Sequence, residues 1–200
     1  MSYIKAKKSQ LRLNAKAKRA HLFQNVDSAP ENLVKKSFKN LQKFGASNIA
    51  GYWPIADELD VRPLMRKLSF EGVTVSLPAV IPGEKKLVFR VWVEGTPLQR
   101  GPYGTWQLAE NTLLNEPDVL LIPLLAFDSK GGRLGYGGGF YDQTVSALRK
   151  QKEIISVGIA YSGQEITEVP MCMKDQRLDW IATELGMRGL RAQCMGGSFL

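Results

Sequence analysis

The run RLGYGGGFYD, Arg133 to Asp142, places four glycines in five positions between an arginine and a tyrosine–aspartate pair. Ordering glycine costs more backbone entropy than ordering any other residue, so the block implies a close approach to the backbone or turns that a Cβ would forbid. Glycines ahead of a helix can turn N–H groups inward as an anion nest, strengthened by the positive helix end. Arg133 could add charge-assisted hydrogen bonds to a phosphate, and Asp142 could hold the magnesium ion that phosphates usually bring. The spacing is not a P-loop, and a dinucleotide fingerprint fails at its third glycine, where Phe140 stands. A turn that only lets two elements pack closely is the plain alternative.

A second concentration of charge lies at the N-terminus. Lys5, Lys7, Lys8, Arg12, Lys16, Lys18 and Arg19 all precede the first acid, Asp27, in a chain of net charge +8. Such an end attracts phosphates, nucleic acid or acidic small molecules, or is a solvated helix face. The single histidine, His21, leaves little for a Ser-His-Asp triad or a histidine-rich metal site. Cys172 and Cys194 show no CxxC spacing, which argues against a disulfide framework or a zinc knuckle and for a reduced, cytoplasmic setting. No signal peptide and no membrane-spanning stretch are expected.

The elements that must carry these residues follow from periodicity. Ile4, Leu11, Ala15 and Leu22 predict an amphipathic N-terminal helix with the bases on its other faces. Ser28-Ala-Pro-Glu31 reads as a capping box ahead of a helix through Leu33, Val34, Phe38, Leu41 and Phe44, stopped at Gly45. Asn48 to Trp53 reads as a strand, and Asp60 as the cap of a short helix. Val73 to Leu77, ended by Pro78, and Leu87 to Val93 are further expected strands. Gly95 to Trp106 reads as a surface loop. Val119 to Phe127, nearly all apolar, reads as one strand buried on both faces. The glycine block, a helix with Val145 and Leu148, a strand from Ile154 to Ala160, and a last strand at Trp180 to Thr183 complete the pattern. Alternating strands and helices predict an α/β sheet with parallel pairs, whose ligands sit outside the carboxyl ends of the strands. Residues 1–185 read as one domain and 186–200 as a weakly ordered tail.

Taken together, these residues resemble the 5-formyltetrahydrofolate cyclo-ligase (5,10-methenyltetrahydrofolate synthetase) family. The likeness rests on Lys8-Ser-Gln-Leu-Arg12, on IAGYWPIADELDVRPL, on PLLAFDSKGGRLGYGGGFYD and on VPMCMKDQRLDWIATE. It implies a three-layer α/β/α sandwich around a mainly parallel sheet with a basic N-terminal helix. It further implies ATP- and Mg²⁺-dependent cyclisation of 5-formyltetrahydrofolate to 5,10-methenyltetrahydrofolate, with ADP and phosphate released through a phosphorylated formyl group.

By that resemblance Lys8 and Arg12 hold ATP from one side, and Arg133, Leu134, Gly135, Tyr136, Gly137, Gly138, Gly139, Phe140 and Tyr141 hold it from the other. Trp53, Glu58 and the span Tyr136 to Phe140 line the folate pocket. Arg133 and Asp142 carry the catalytic assignment, and Asp142 the magnesium ion with Asp175 as second candidate. Cys172 stands where relatives often place a carboxylate or amide, and it is a poor magnesium ligand. No nucleic acid or membrane partner is expected, and a monomer is preferred. Two rivals stay open: a nucleotide- or RNA-binding module without turnover, and an enzyme acting on sugar phosphates.

Overall fold

The structure is a computed structural model and describes residues 2–190. The chain opens with helices α1 (Ser2–Asn25) and α2 (Ala29–Gln42), followed by strand β1 (Asn48–Ala50) and helix α3 (Arg62–Phe70). Then come β2 (Thr74–Val80), β3 (Leu87–Val91), β4 (Gln99–Arg100), β5 (Trp106–Gln107), β6 (Leu114–Asn115) and β7 (Val119–Pro123). A short hairpin of β8 (Ala126–Phe127) and β9 (Arg133–Leu134) leads into α4 (Phe140–Leu148), and β10 (Ile155–Ile159), β11 (Trp180–Thr183) and β12 (Gly186–Gly189) close the fold.

The main sheet runs in the order β12-β11-β10-β7-β1-β2-β3-β6. Its centre, β11, β10, β7, β1 and β2, is parallel; β12 and β3 flank it antiparallel. Helices α2 and α3 bury Leu33, Leu41, Leu64 and Leu68 against one face, on Ile49, Val75, Val119 and Val157. On the other face, α4 packs Val145 and Leu148 against Leu120, Ile122 and Phe89. This is the expected three-layer α/β/α arrangement. Helix α1 seats Ala15 beside Leu125, Leu134 and Val169. Among the described residues no helix is long and apolar enough to cross a membrane.

Several local expectations are corrected. The apolar run Val119 to Phe127 is not one strand. Beyond Pro123 the chain leaves the sheet, and Ala126–Phe127 pairs with Arg133–Leu134 in a separate ladder. Both pieces are buried, so composition alone could not separate them. Pro78 does not end its strand: β2 continues to Val80, paired with β3. Pairing with β1 stops at Ser76, so on that side Pro78 faces no strand that needs its missing N–H. The strand expected at Asn48 to Trp53 stops at Ala50, and that at Leu87 to Val93 stops at Val91.

Ser28 caps α2 in position, but its side chain makes no cap hydrogen bond; its hydroxyl instead accepts from the Asn32 amide at 3.1 Å. The cap position of α3 is Val61, and Asp60 reaches the Arg62 N–H from one residue further out. Gly186–Gly189, expected to begin a loose tail, forms an edge strand on β11. Residues 191–200 of that expected tail lie outside the described residues.

Candidate active site

Chain order along the sheet reverses between β1 and β7, and ligands of open α/β sheets collect at the carboxyl ends of strands flanking such a point. The loop after β1 carries Asp57 and Glu58. The chain after β7 carries Leu124, the β8–β9 hairpin and the glycine block. Helix α1 lies across both.

The hairpin is made rigid by Asp128. Its Oδ1 accepts the Lys130 and Gly132 N–H groups at 2.9 Å each, and Oδ2 accepts that of Val169 at 2.8 Å. From β9 the glycine block enters α4 through Gly137 at φ +104 and Gly139 at φ +74, the latter as the helix cap. Both lie in the left-handed region that favours glycine. Gly137 also lies under α1: a Cβ there would meet the Arg12 guanidinium carbon at 3.2 Å. Arg12 Nε donates to the Gly135 carbonyl at 2.9 Å. Leu134 turns its side chain into the core, leaving only its backbone for a ligand.

Lys8 lies one turn before Arg12. It pairs with Asp175 at 2.5 Å, and Asp175 also accepts the Cys172 N–H at 2.6 Å. Burial pushes the Asp175 carboxyl up, but Lys8 and the Cys172 N–H outweigh it and leave it below the usual carboxylate range. Arg133, 8 % exposed, donates to Asp142 Oδ1 at 2.7 Å, and the Gln176 N–H reaches the same oxygen at 2.9 Å. Burial lowers the Arg133 guanidinium, opposed by Asp142 and Asp175. Lys8, Asp175, Arg133 and Asp142 therefore form one cluster beside the glycine block. Among the described residues no group of three or more His, Cys, Asp and Glu is placed to hold a metal.

On the other side of the block Glu58 is 4 % exposed. Ala56, at φ +52, bends the loop so that Glu58 Oε2 accepts the Ile55 N–H at 2.9 Å. Burial raises the Glu58 carboxyl to about 7, against the Ile55 hydrogen bond and Arg19. Tyr52, two residues beyond β1, donates its hydroxyl to the Leu59 carbonyl at 2.6 Å. Tyr141 faces Glu58 from α4, and burial followed by that charge raises its phenol. Trp53 is half-buried against the core with the Arg62 guanidinium 5.2 Å from its ring centre. Phe140 meets the exposed Tyr103 edge-on at 5.5 Å.

The expected set of residues is brought together in part: Lys8, Arg12, Arg133, Asp142 and Asp175 gather at the glycine block, whereas Trp53 packs against Arg62. Its omission is Arg19, which is 2 % exposed and reaches Asp57, Tyr136 and Glu58. The signal was present in the spacing: Lys8, Arg12, Ala15 and Arg19 advance by four, three and four residues, one stripe of a 3.6-residue helix. Apolar periodicity alone hid it. Lys16 also belongs at the site, with its ammonium 5.5 Å from the Tyr136 ring centre.

A sequence model described as the 5-formyltetrahydrofolate cyclo-ligase family matches residues 4–184. The chain belongs to that family. It is 36% identical over 170 residues to the 5-formyltetrahydrofolate cyclo-ligase of Haemophilus influenzae, a match covering 82% of this chain and 90% of that one. The Escherichia coli K12 cyclo-ligase is 32% identical over 140 residues, 63% of this chain and 71% of its own. Among solved structures, the 5,10-methenyltetrahydrofolate synthetase of Aquifex aeolicus superposes with a TM-score of 0.72 at 28% identity, covering 96% of each chain. That of Mycoplasma pneumoniae gives 0.70 at 26% identity, covering 88% of this chain and 98% of its own. The chain is accordingly an enzyme of this ligase family, and the sandwich is the family's fold.

Proposed function

We propose that this cyclo-ligase family member converts 5-formyltetrahydrofolate to 5,10-methenyltetrahydrofolate at the expense of ATP. The observation that supports this most is the apposition of Lys8 and Arg12 on α1 with the glycine block, beside the buried carboxylate of Glu58. Phosphoryl transfer asks mainly for positioning and charge neutralisation. The N–H groups at the start of α4, the helix dipole, Lys8 and Arg12 would supply that without a histidine. Arg133, buried and paired with Asp142, acts as fixed positive charge behind the block.

In the chemistry we infer, the formyl oxygen on N5 attacks the γ-phosphorus and ADP leaves. N10 then attacks the activated formyl carbon, phosphate departs, and the proton on N10 is lost as the ring closes. Glu58, in its charged form, accepts hydrogen bonds from the amino and ring N–H groups of the pterin, while Tyr136 and Phe140 contact the substrate. Trp53 contributes from the edge of the pocket.

Magnesium fits the carboxylates present. Asp142 uses Oδ1 for Arg133 and Gln176, and Asp175 uses Oδ2 for Lys8 and Cys172, so each has a second oxygen outside those bonds. Magnesium is commonly held by one or two carboxylates together with substrate phosphates. When bound, it would neutralise charge on the β- and γ-phosphates.

The test is formation of methenyltetrahydrofolate, followed by absorbance, with 5-formyltetrahydrofolate, ATP and Mg²⁺. Product should appear only when both ATP and Mg²⁺ are present, with one ADP per product. Turnover with no ATP consumption would sink the reading, and tight nucleotide binding without turnover would favour a binding module.

A further inference from the structure

Arg19 is the most deeply buried cation of α1, and it reaches four residues on three separate segments. Its Nη2 donates to Asp57 Oδ1 at 2.7 Å and to the Tyr136 hydroxyl. Its Nη1 donates to the Leu124 carbonyl, at the carboxyl end of β7, at 3.3 Å, and lies 3.7 Å from Glu58 Oε1. The guanidinium carbon also sits 5.4 Å from the Tyr136 ring centre. A lysine offers one point of charge, whereas this geometry needs the planar fork and its several fixed donors. The buried Nε has no hydrogen-bond partner. Burying an N–H without an acceptor costs free energy, so holding this geometry is not free.

We propose that Arg19 is a positioning residue for the folate half of the site, tying Glu58, Asp57 and Tyr136 into one wall across the β1–β7 switch point. The proposal rests on the reading of Glu58 as a pterin contact. Arg19 fixes where the Glu58 carboxylate and the Tyr136 ring stand relative to each other, although they belong to loops remote in sequence. It is also the cation that faces Glu58. The other groups around that carboxylate are Asp57 in its own loop, Tyr52 just after β1, Tyr136 from the glycine block and Tyr141 from α4. Burial and Asp57 raise the Glu58 carboxyl, and Arg19 opposes them. Without Arg19 the carboxyl takes up its proton at higher pH and ceases to be a pure acceptor for pterin N–H groups.

The experiment is kcat/KM for 5-formyltetrahydrofolate and KM for ATP as functions of pH, with melting temperatures, for the parent, Arg19→Met, Arg19→Lys and Glu58→Gln. The parent should lose kcat/KM for the folate as pH falls through about 7, where Glu58 protonates. Arg19→Met should lower that parameter about tenfold or more and move the acid limb to higher pH, with KM for ATP changed less than about threefold. Arg19→Lys should leave the limb near its parental position, because the charge remains, yet lose several-fold on the folate side because the fork is gone. A parental limb and folate KM in Arg19→Met would overturn the proposal, as would equal losses on both substrates alongside a general fall in melting temperature. Should Arg19→Met fail to fold, Arg19→Lys decides: no loss, or equal loss on both substrates, overturns it. Glu58→Gln keeps the two readings apart. If it leaves folate KM and the acid limb untouched, Glu58 is not the pterin contact; if it abolishes the limb while Arg19→Met does not move it, only the role of Arg19 falls.

Discussion

Glu58 is buried as an acid rather than as a freely ionised surface group, and that has a cost. Its folded-state pKa of about 7 lies above its ordinary value of 4.5. The folded state therefore binds more protons than the unfolded one between those values, so stability falls as pH rises through that window and stays reduced above it. Glu58→Gln should accordingly be more stable than the parent at pH 8, by on the order of 1–3 kcal/mol, and nearly equal to it at about pH 4. Melting curves at the two pH values check this; equal differences at both would contradict it. Lys8 and Arg12 are a separate case at the same scale. Lys8→Ala and Arg12→Ala should each raise KM for ATP about ten- to a hundredfold, as expected for charge-assisted contacts to phosphate. The proper control is the exposed Lys18, where an effect under about 1 kcal/mol is expected. Lys16 looks equivalent by spacing, but its contact with Tyr136 disqualifies it. Equal, salt-sensitive losses at Lys8, Arg12 and Lys18 would mean diffuse attraction instead of two defined contacts.

The glycine block and α4 work as one element, and two substitutions separate its shape from its anchoring. A Cβ on Gly138 would stand 2.8 Å from the Phe140 ring, so Gly138→Val must displace that ring. ATP use should be crippled while the melting temperature falls less, since Val145 and Leu148 keep α4 seated on the sheet. Near-parental KM for ATP in that variant would reduce the block to a packing turn. Asp142 anchors the element from below by neutralising a buried guanidinium. Asp142→Ala leaves Arg133 charged and unpaired, and removing one partner of a buried pair typically costs about 3–5 kcal/mol. Asp142→Asn keeps an oxygen for Arg133 and the Gln176 N–H, so it should recover most of the stability. If Asp142 also holds magnesium, Asp142→Asn should need far more Mg²⁺ for half-maximal rate. Recovery of stability and Mg²⁺ dependence together would confine Asp142 to anchoring.

At the scale of the whole molecule the net charge of +8 meets substrates that are anions. Lys8, Arg12 and Lys16 of α1 stand beside the glycine block, where they would raise the local concentration of ATP and of the folate carboxylates. Screening shortens that reach to about 10 Å at 0.1 M salt. Raising ionic strength from about 0.02 to 0.3 M should therefore lower kcat/KM for ATP several-fold with kcat nearly unchanged. A fall in kcat with kcat/KM constant would place the salt effect in a step after binding. The topology makes such a gathering possible: the chain reverses its direction of travel across the sheet between β1 and β7, and α1 crosses the carboxyl ends on either side of that reversal.

Read as a chain, the protein discloses its periodic and local features: the helix of alternating bases and apolar residues, the parallel strands, and a glycine block that implies close approach to its backbone or a tight packing turn. These follow from short-range geometry, which is written in neighbouring residues. What sequence alone left undecided depends on partners distant along the chain. Pro78 is tolerated in β2 because β1 stops short of it, and the run from Val119 to Phe127 divides because its second half pairs with residues past Asp128. Lys16 comes to the glycine block because Tyr136 folds back beneath it. Arg19, outwardly one more base in a charged helix, becomes the centre of a buried polar cluster only when Asp57, Leu124 and Tyr136, between 38 and 117 residues away, converge on it. Burial gives that charge its effect, and burial is a property of the assembled fold.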